Sequence, residues 1–187
     1  MGELYPGGPV ELPCRVSVAG TIITAQRIPA VRIAYYCATG KWGNLAGALF
    51  DTESLADRLA DPDDSLDDRD LAKAALLLAI RLSGAGTGIA AWRVLMHMCG
   101  VIISEWLDIA GRLSVAGVDP QEAQLWRVVA TVRHLITAES TPEHRNWVER
   151  VLEYPLPAEP AWVPGAGSMD TVRRRAAAAF AEIHKEL

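Results

Sequence analysis

Apolar residues alternate from Val10 to Val18 (Val10, Leu12, Cys14, Val16, Val18), Ala19-Gly20 interrupts them, and Thr21 to Ile28 resumes as a second extended run. Alternation sends successive side chains to opposite faces, and a two-residue break between such runs signals a β-hairpin. Near Pro29 the hydrophobic period lengthens to that of an α-helix, and beyond it nearly everything repeats at that spacing. The expected fold is therefore mainly α: an N-terminal β-hairpin, a helical bundle, a proline-rich linker and a C-terminal helix. An isolated two-stranded hairpin is marginal in water, so this one must lean on the helices or pair with a strand of another chain. In the second case Val16 and Ile22, one on each strand, are candidate contacts of a homo-oligomer formed through the hairpin edge.

A chain of 187 residues, half of them apolar, is long enough to bury a core without staples and fits one domain with an appended tail. The expected units are 1–154 for hairpin and bundle, 155–168 for a linker and 169–187 for a last helix. Cys14, Cys37 and Cys99 are odd in number, widely spaced and without a CxxC pair, which argues against a disulfide framework or a tetrathiolate zinc site. The first residues, MGELYPGGPVELP, lack the basic patch and apolar run of a secretory signal, so a cytoplasmic location is expected. The most membrane-like stretch, Gly88 to Trp106, contains Arg93, His97 and Glu105, each costly in a bilayer, and reads as a buried core helix.

The net charge of −5 is concentrated. Nine acidic residues (Asp51, Glu53, Asp57, Asp61, Asp63, Asp64, Asp67, Asp68, Asp70) face only Arg58 and Arg69 between positions 51 and 70, which leaves the remainder slightly positive. That balance lacks the broad basic surface that carries nucleic-acid affinity, so no nucleic-acid partner is expected.

Along the chain, Val31, Ile33, Tyr35 and Tyr36 suggest a short helix after Pro29, and Gly40-Lys41-Trp42-Gly43 suggests a turn. Asp51 or Thr52 is positioned to cap a short helix through Leu55 and Leu59 that stops before Pro62. Ser65 with Asp68 approximates a capping box for a long helix through Leu71 to Leu82, which Gly84 ends. Ile89 to about Gly111 reads as one continuous, central helix carrying Trp92, Leu95, Met96, Cys99, Ile102, Ile103 and Trp106. Asp119-Pro120-Gln121-Glu122 supplies an N-cap, a proline at the first helical position and an acid at the third for a helix through Leu125, Val128, Val129, Val132, Leu135 and Ile136. Thr141-Pro142-Glu143 repeats the device for a helix through Trp147, Val148, Val151 and Leu152. The stretch PLPAEPAWVP, Pro155 to Pro164, is too proline-dense for helix or central strand and reads as an extended linker. Met169 to Leu187 resumes as an amphipathic helix with Val172, Ala176, Phe180, Ile183 and Leu187 along one stripe.

Each chemical motif has a structural explanation that serves better. Gly84, Gly86 and Gly88 look like a phosphate-cradling loop, but they follow a helix rather than a strand and no Lys-Ser/Thr pair comes after. Asp61, Asp63 and Ser65 begin like a calcium loop, yet Leu66 stands where glycine should turn the chain and Ala72 where a bidentate Glu should close the shell. His97 and Cys99 are two apart on a helix and point in different directions, and His134, His144 and His184 show no ligand spacing. No GxSxG elbow is present. These readings imply no enzyme, no cofactor and no metal. Two features of the tail point instead to a partner. Trp162 sits in the extended linker, and Arg173, Arg174 and Arg175 crowd the start of the last helix, where cations oppose the dipole. With Phe180 these are the candidate partner-binding residues.

The stretch Ser104 to Ile136, SEWLDIAGRLSVAGVDPQEAQLWRVVATVRHLI, resembles a segment of small helical proteins encoded among the tail genes of actinobacterial phages and prophages. In them a Trp-bearing helix leads to a Gly-Arg-Leu turn, a Gly-Val-Asp cap and another apolar helix, here Trp106, Gly111-Arg112-Leu113 and Gly117-Val118-Asp119. The resemblance implies a tail assembly chaperone, which binds the tape-measure protein while the tail tube polymerises, in the host cytoplasm and without a membrane partner. Two alternatives fit the same residues. One is a structural or connector protein of the virion; the other is a helical small-molecule enzyme with its site near Arg93, His97 and Glu105.

Overall fold

The computed structural model describes residues 10–137, apart from 53–54, 62–63, 65 and 85–87, together with 141, 142 and 146. Strands β1 (Cys14–Val18) and β2 (Thr21–Ala25) pair antiparallel with Cys14 opposite Ala25 and Val18 opposite Thr21. The two turn residues, Ala19 at φ +46° and Gly20 at φ +78°, both have the positive φ that a two-residue turn needs to match the twist of its strands. One hairpin face, with Val18, Ile23 and Ala25 buried and Cys14 and Val16 half-buried, lies on the helices. The other, with Arg15, Ser17, Ile22 and Thr24, faces out. The hairpin therefore leans on its own helical body, β1 packing against the fourth helix, and β2 gains a bridge from Ala25 to Phe50 at its end.

Seven helices follow among the described residues. Helix α1 (Ala30–Ala38) starts directly after Pro29, whose fixed φ suits a helix start. It ends in a Schellman turn: Gly40, at φ +66°, donates to the Cys37 carbonyl and Lys41 donates to that of Tyr36. The chain turns straight into α2 (Trp42–Leu49), a helix that the sequence reading did not anticipate, so the expected Gly40–Gly43 turn is confined to its first residues and Trp42 and Gly43 are helical. Helix α3 (Ala56–Ala60) has Leu55 at its N-cap and no side-chain cap, contrary to the expected Asp51 or Thr52. Helix α4 (Asp68–Leu82) is capped by Asp67, whose carboxylate accepts from the Asp70 N–H at 2.6 Å; the cap therefore lies two residues after the Ser65 that the sequence suggests. Asp68 and Asp70 occupy the first turn, where the helix dipole favours negative charge.

Helix α5 (Gly88–Ser104) is central, touching α1, α4, α6 and α7, and it buries Trp92, Leu95, Met96, Met98, Cys99, Val101 and Ile102. The expected continuous helix to Gly111 does not exist. At Glu105 the chain bends by 88° and continues as α6 (Trp106–Val115). Backbone bonds still cross the corner, Glu105 N–H to the Val101 carbonyl and Ile109 N–H to that of Glu105. Among the described residues no single helix is long and apolar enough to cross a membrane.

Gly117-Val118-Asp119 ends α6 rather than opening the next helix. Gly117, at φ +75°, donates to Ser114 and Val118 to Leu113, a second Schellman turn in which the half-buried Val118 follows the glycine. Asp119 accepts from the Gln121 N–H as an Asx turn, and α7 (Leu125–Thr137) begins only after that loop, later than the expected Asp119 cap. The loop is fastened to the hairpin on both sides. Gln124 pairs with the backbone of Leu12, donating to its carbonyl and accepting from its N–H, while Arg27 donates to the Glu122 carbonyl and pairs with its carboxylate.

Candidate functional site

Arg93, His97 and Glu105 fall at helical intervals of four and eight residues along α5 and the corner after it. Such spacing spreads the outer two over about 18 Å of helix, so they form a stripe and do not converge on one point. Arg93 is buried and His97 half-buried. Desolvation pushes the His97 pKa down, and the nearby Arg93 charge pushes it further the same way. Cys37 and Cys99, distant in sequence, meet in the core between α1 and α5; burial raises the Cys99 thiol well above its ordinary range, with a hydrogen bond to Cys37 adding to the effect. A thiol raised in this way is a poor nucleophile at neutral pH, which applies to Cys99. Among the described residues no group of three or more His, Cys, Asp or Glu side chains could hold a metal.

The acidic segment has a structural anchor. Arg58 holds Asp64 through two 2.8 Å bonds and reaches the Thr21 hydroxyl at 2.6 Å, tying the segment to the hairpin turn. On α1 a basic and aromatic group is laid out at the surface. Arg32 bonds the Tyr36 hydroxyl, Lys41 bonds that of Tyr35, and the two rings meet edge to face at 5.7 Å.

The strongest departure from a sealed surface lies on α6. Leu107 and Val115 are 88% and 92% exposed, two turns apart on one face of the helix, with Gly111 between them. On the opposite face Ile109 and Leu113 are buried in the body. Between this stripe and the Ala130, Thr131 and His134 side of α7 runs an open groove of about 750 Å³. Asp108 and Arg112, joined at 3.1 Å, lie along it. None of Arg93, His97 and Glu105 lines this groove. The groove is an apolar strip with a polar rim, lined by Leu107, Gly111, Val115, Ala116 and Ala130 beside Asp108, Arg112, Thr131 and His134.

Of the residues that the sequence nominates for partner contact, Val16 faces the core and is half-buried, whereas Ile22 is 72% exposed on the outer hairpin face. The two are thus on opposite faces. Trp162, Arg173, Arg174, Arg175 and Phe180, with the linker, the last helix and the helix expected through Trp147, lie outside the described residues. Sequence reasoning missed Leu107 and Val115 because they continue an apolar period that is consistent with burial. The signal lay in Leu107, Gly111 and Val115 recurring every fourth residue beside a second stripe, Ile109 and Leu113. Comparison with protein-family models, with curated proteins and with solved structures finds no match to the chain.

Proposed function

We propose that the protein is a non-enzymatic assembly factor for a phage tail, a chaperone that shelters an apolar helix of the tape-measure protein until the tube forms around it. The observation that carries this reading is the α6 face: a leucine and a valine left almost wholly in water, flanked by a groove. Exposed apolar side chains along one helix face, beside a groove with a polar rim, are what a docked amphipathic helix covers. The naming of the client rests on the resemblance, and the residues that carry it, Ser104 to Ile136, are those that build α6, the turn and α7. The acidic surplus between Asp51 and Asp70 suits the role, because like charge keeps a factor and its greasy client dispersed. In this reading Trp162, Arg173 to Arg175 and Phe180 provide a second grip on the client.

Co-expression with the tape-measure protein of the same gene cluster tests it. The wild-type chain should raise the soluble fraction of that protein and co-purify with it. A Leu107→Asp/Val115→Asp variant should keep its helical content and lose both effects, since neither side chain supports the core. A wild-type chain that changes neither solubility nor recovery of the client would refute the proposal.

A further inference from the structure

We infer that the basic and aromatic row on α1 binds the carboxylates of an acidic, amphipathic segment of a partner protein. The row stands apart from the α6 groove, which no residue of α1 lines, and does not depend on the client proposed there.

The local sequence sets the row up. Between Gln26 and Phe50 there is no acidic residue, while Arg27, Arg32 and Lys41 are basic. Arg27 is taken by Glu122, but among the described residues Arg32 and Lys41 have no carboxylate partner. Arg32 and Tyr36, four apart on α1, share a face, and the positive φ of Gly40 turns the chain back so that Lys41 reaches Tyr35.

The hydrogen bonds within the row leave it with donors to spare. Arg32 spends only its Nε, on the Tyr36 hydroxyl at 3.1 Å, and Lys41 spends one of its three N–H groups on the Tyr35 hydroxyl at 3.0 Å. Left over are both terminal nitrogens of the guanidinium, two ammonium hydrogens and the two phenol O–H groups, whose oxygens already accept from the cations. Every one of these groups donates. Positive charge and surplus donors match a group that only accepts, and the fork of Arg32 fits a carboxylate or a phosphate through two parallel bonds.

The layout favours carboxylates carried on a peptide. Arg32 stands in the first turn of α1 and Lys41 beyond its last, and each is held on a different ring, 5.8 Å from the centre of Tyr36 and 5.0 Å from that of Tyr35. They serve two separate anions, with ring surface between them: the rings lie 5.7 Å apart, and Tyr35 is 43% exposed. A peptide with acidic and apolar side chains meets both needs. Two cations are too few for a nucleic-acid backbone, whose affinity comes from neutralising many phosphates. Because the tyrosines already orient the cations, little ordering remains for the partner to impose.

Fluorescence anisotropy of a labelled helical peptide of Glu, Leu and Ala, titrated with the full-length chain, reads the outcome. Binding is expected, weakening as salt is raised, and the same peptide with Gln in place of Glu should bind at least tenfold more weakly. Arg32→Gln/Lys41→Gln should cost at least tenfold, whereas Lys73→Gln, which removes an exposed cation from α4, should change nothing. Tyr35→Phe/Tyr36→Phe keeps the rings, removes the oxygens that hold the cations and should lose part of the affinity. Circular dichroism should show unchanged helical content in each variant. A Glu peptide that binds no better than its Gln counterpart overturns the inference, as does an Arg32→Gln/Lys41→Gln variant that binds like the wild type. Tighter binding of inorganic phosphate or of a single-stranded oligonucleotide than of the peptide would also overturn it. Leu107→Asp/Val115→Asp should bind the peptide normally; a loss there would place the peptide on α6 and sink this inference, while normal peptide binding without client capture would sink only the proposed function.

Discussion

At the scale of single residues, His97 shows how burial writes a pH dependence into the fold. Its pKa in the folded chain lies below the ordinary 6.5, chiefly through desolvation and secondly through Arg93. On acidification the unfolded chain takes up the proton first, so the unfolded state gains stability as pH falls below 6.5, and the loss levels off once the folded imidazole also protonates. About a unit or more above 6.5 the group is neutral in both states and contributes no slope. His97→Gln should flatten the part of the stability decline that sets in as pH falls through 6.5. Denaturant midpoints measured from neutral to mildly acidic pH for both proteins check this, and identical slopes would contradict it. Gly40 and Gly117 make a different point at the same scale. Each ends a helix at positive φ and completes a Schellman turn, but only Gly40 reads as a turn in the sequence, since Gly117 reads there as part of the next helix's cap.

Elements are decided by where such punctuation competes. Two candidate caps precede α4, and Asp67 is used because its carboxylate reaches the Asp70 N–H while its own backbone remains extended. Asp67→Ala should cost about 1 kcal/mol of stability, and Ser65→Ala should cost much less. Paired thermal or denaturant unfolding of the two variants distinguishes them, and equal losses would restore the Ser65 cap. The hairpin, α1, α4 and α7 were legible because each depends on local information: an alternation, a periodic face, a dipeptide at a turn. The corner at Glu105 was not. Trp106, Ile109 and Leu113 prolong the helical period of α5, and neither proline nor glycine marks Ser104-Glu105, so nothing local announces an 88° bend. The exposed α6 face was hidden for the same reason. Whether Leu107 and Val115 are covered depends on the direction in which α6 leaves α5, which is a property of packing and not of the segment. Gly117-Val118-Asp119 misled in another way, since a glycine that closes one helix stands two residues from an aspartate that resembles the opening of the next.

Across the described residues as a whole, the clasp between the base of the hairpin and the start of α7 matters most. Gln124 satisfies both polar groups of the Leu12 peptide across 112 residues of sequence, and Arg27 grips Glu122 beside it. Gln124→Ala should lower global stability by about 1 kcal/mol, since the Leu12 groups are only partly buried and their hydrogen bonds are long. Hydrogen exchange should show the added opening at the base of the hairpin and at the start of α7 together. Protection lost at one of them alone would argue that the two are not coupled. The same clasp sets an order of events on the ribosome. Domains form as the nascent chain emerges from its N-terminal end, yet the backbone of Leu12 has its partner only after the segment carrying Gln124 has been synthesised. The strands can settle on α4 and Phe50 earlier, so the base of the hairpin gains its last clasp only after translation has passed residue 124.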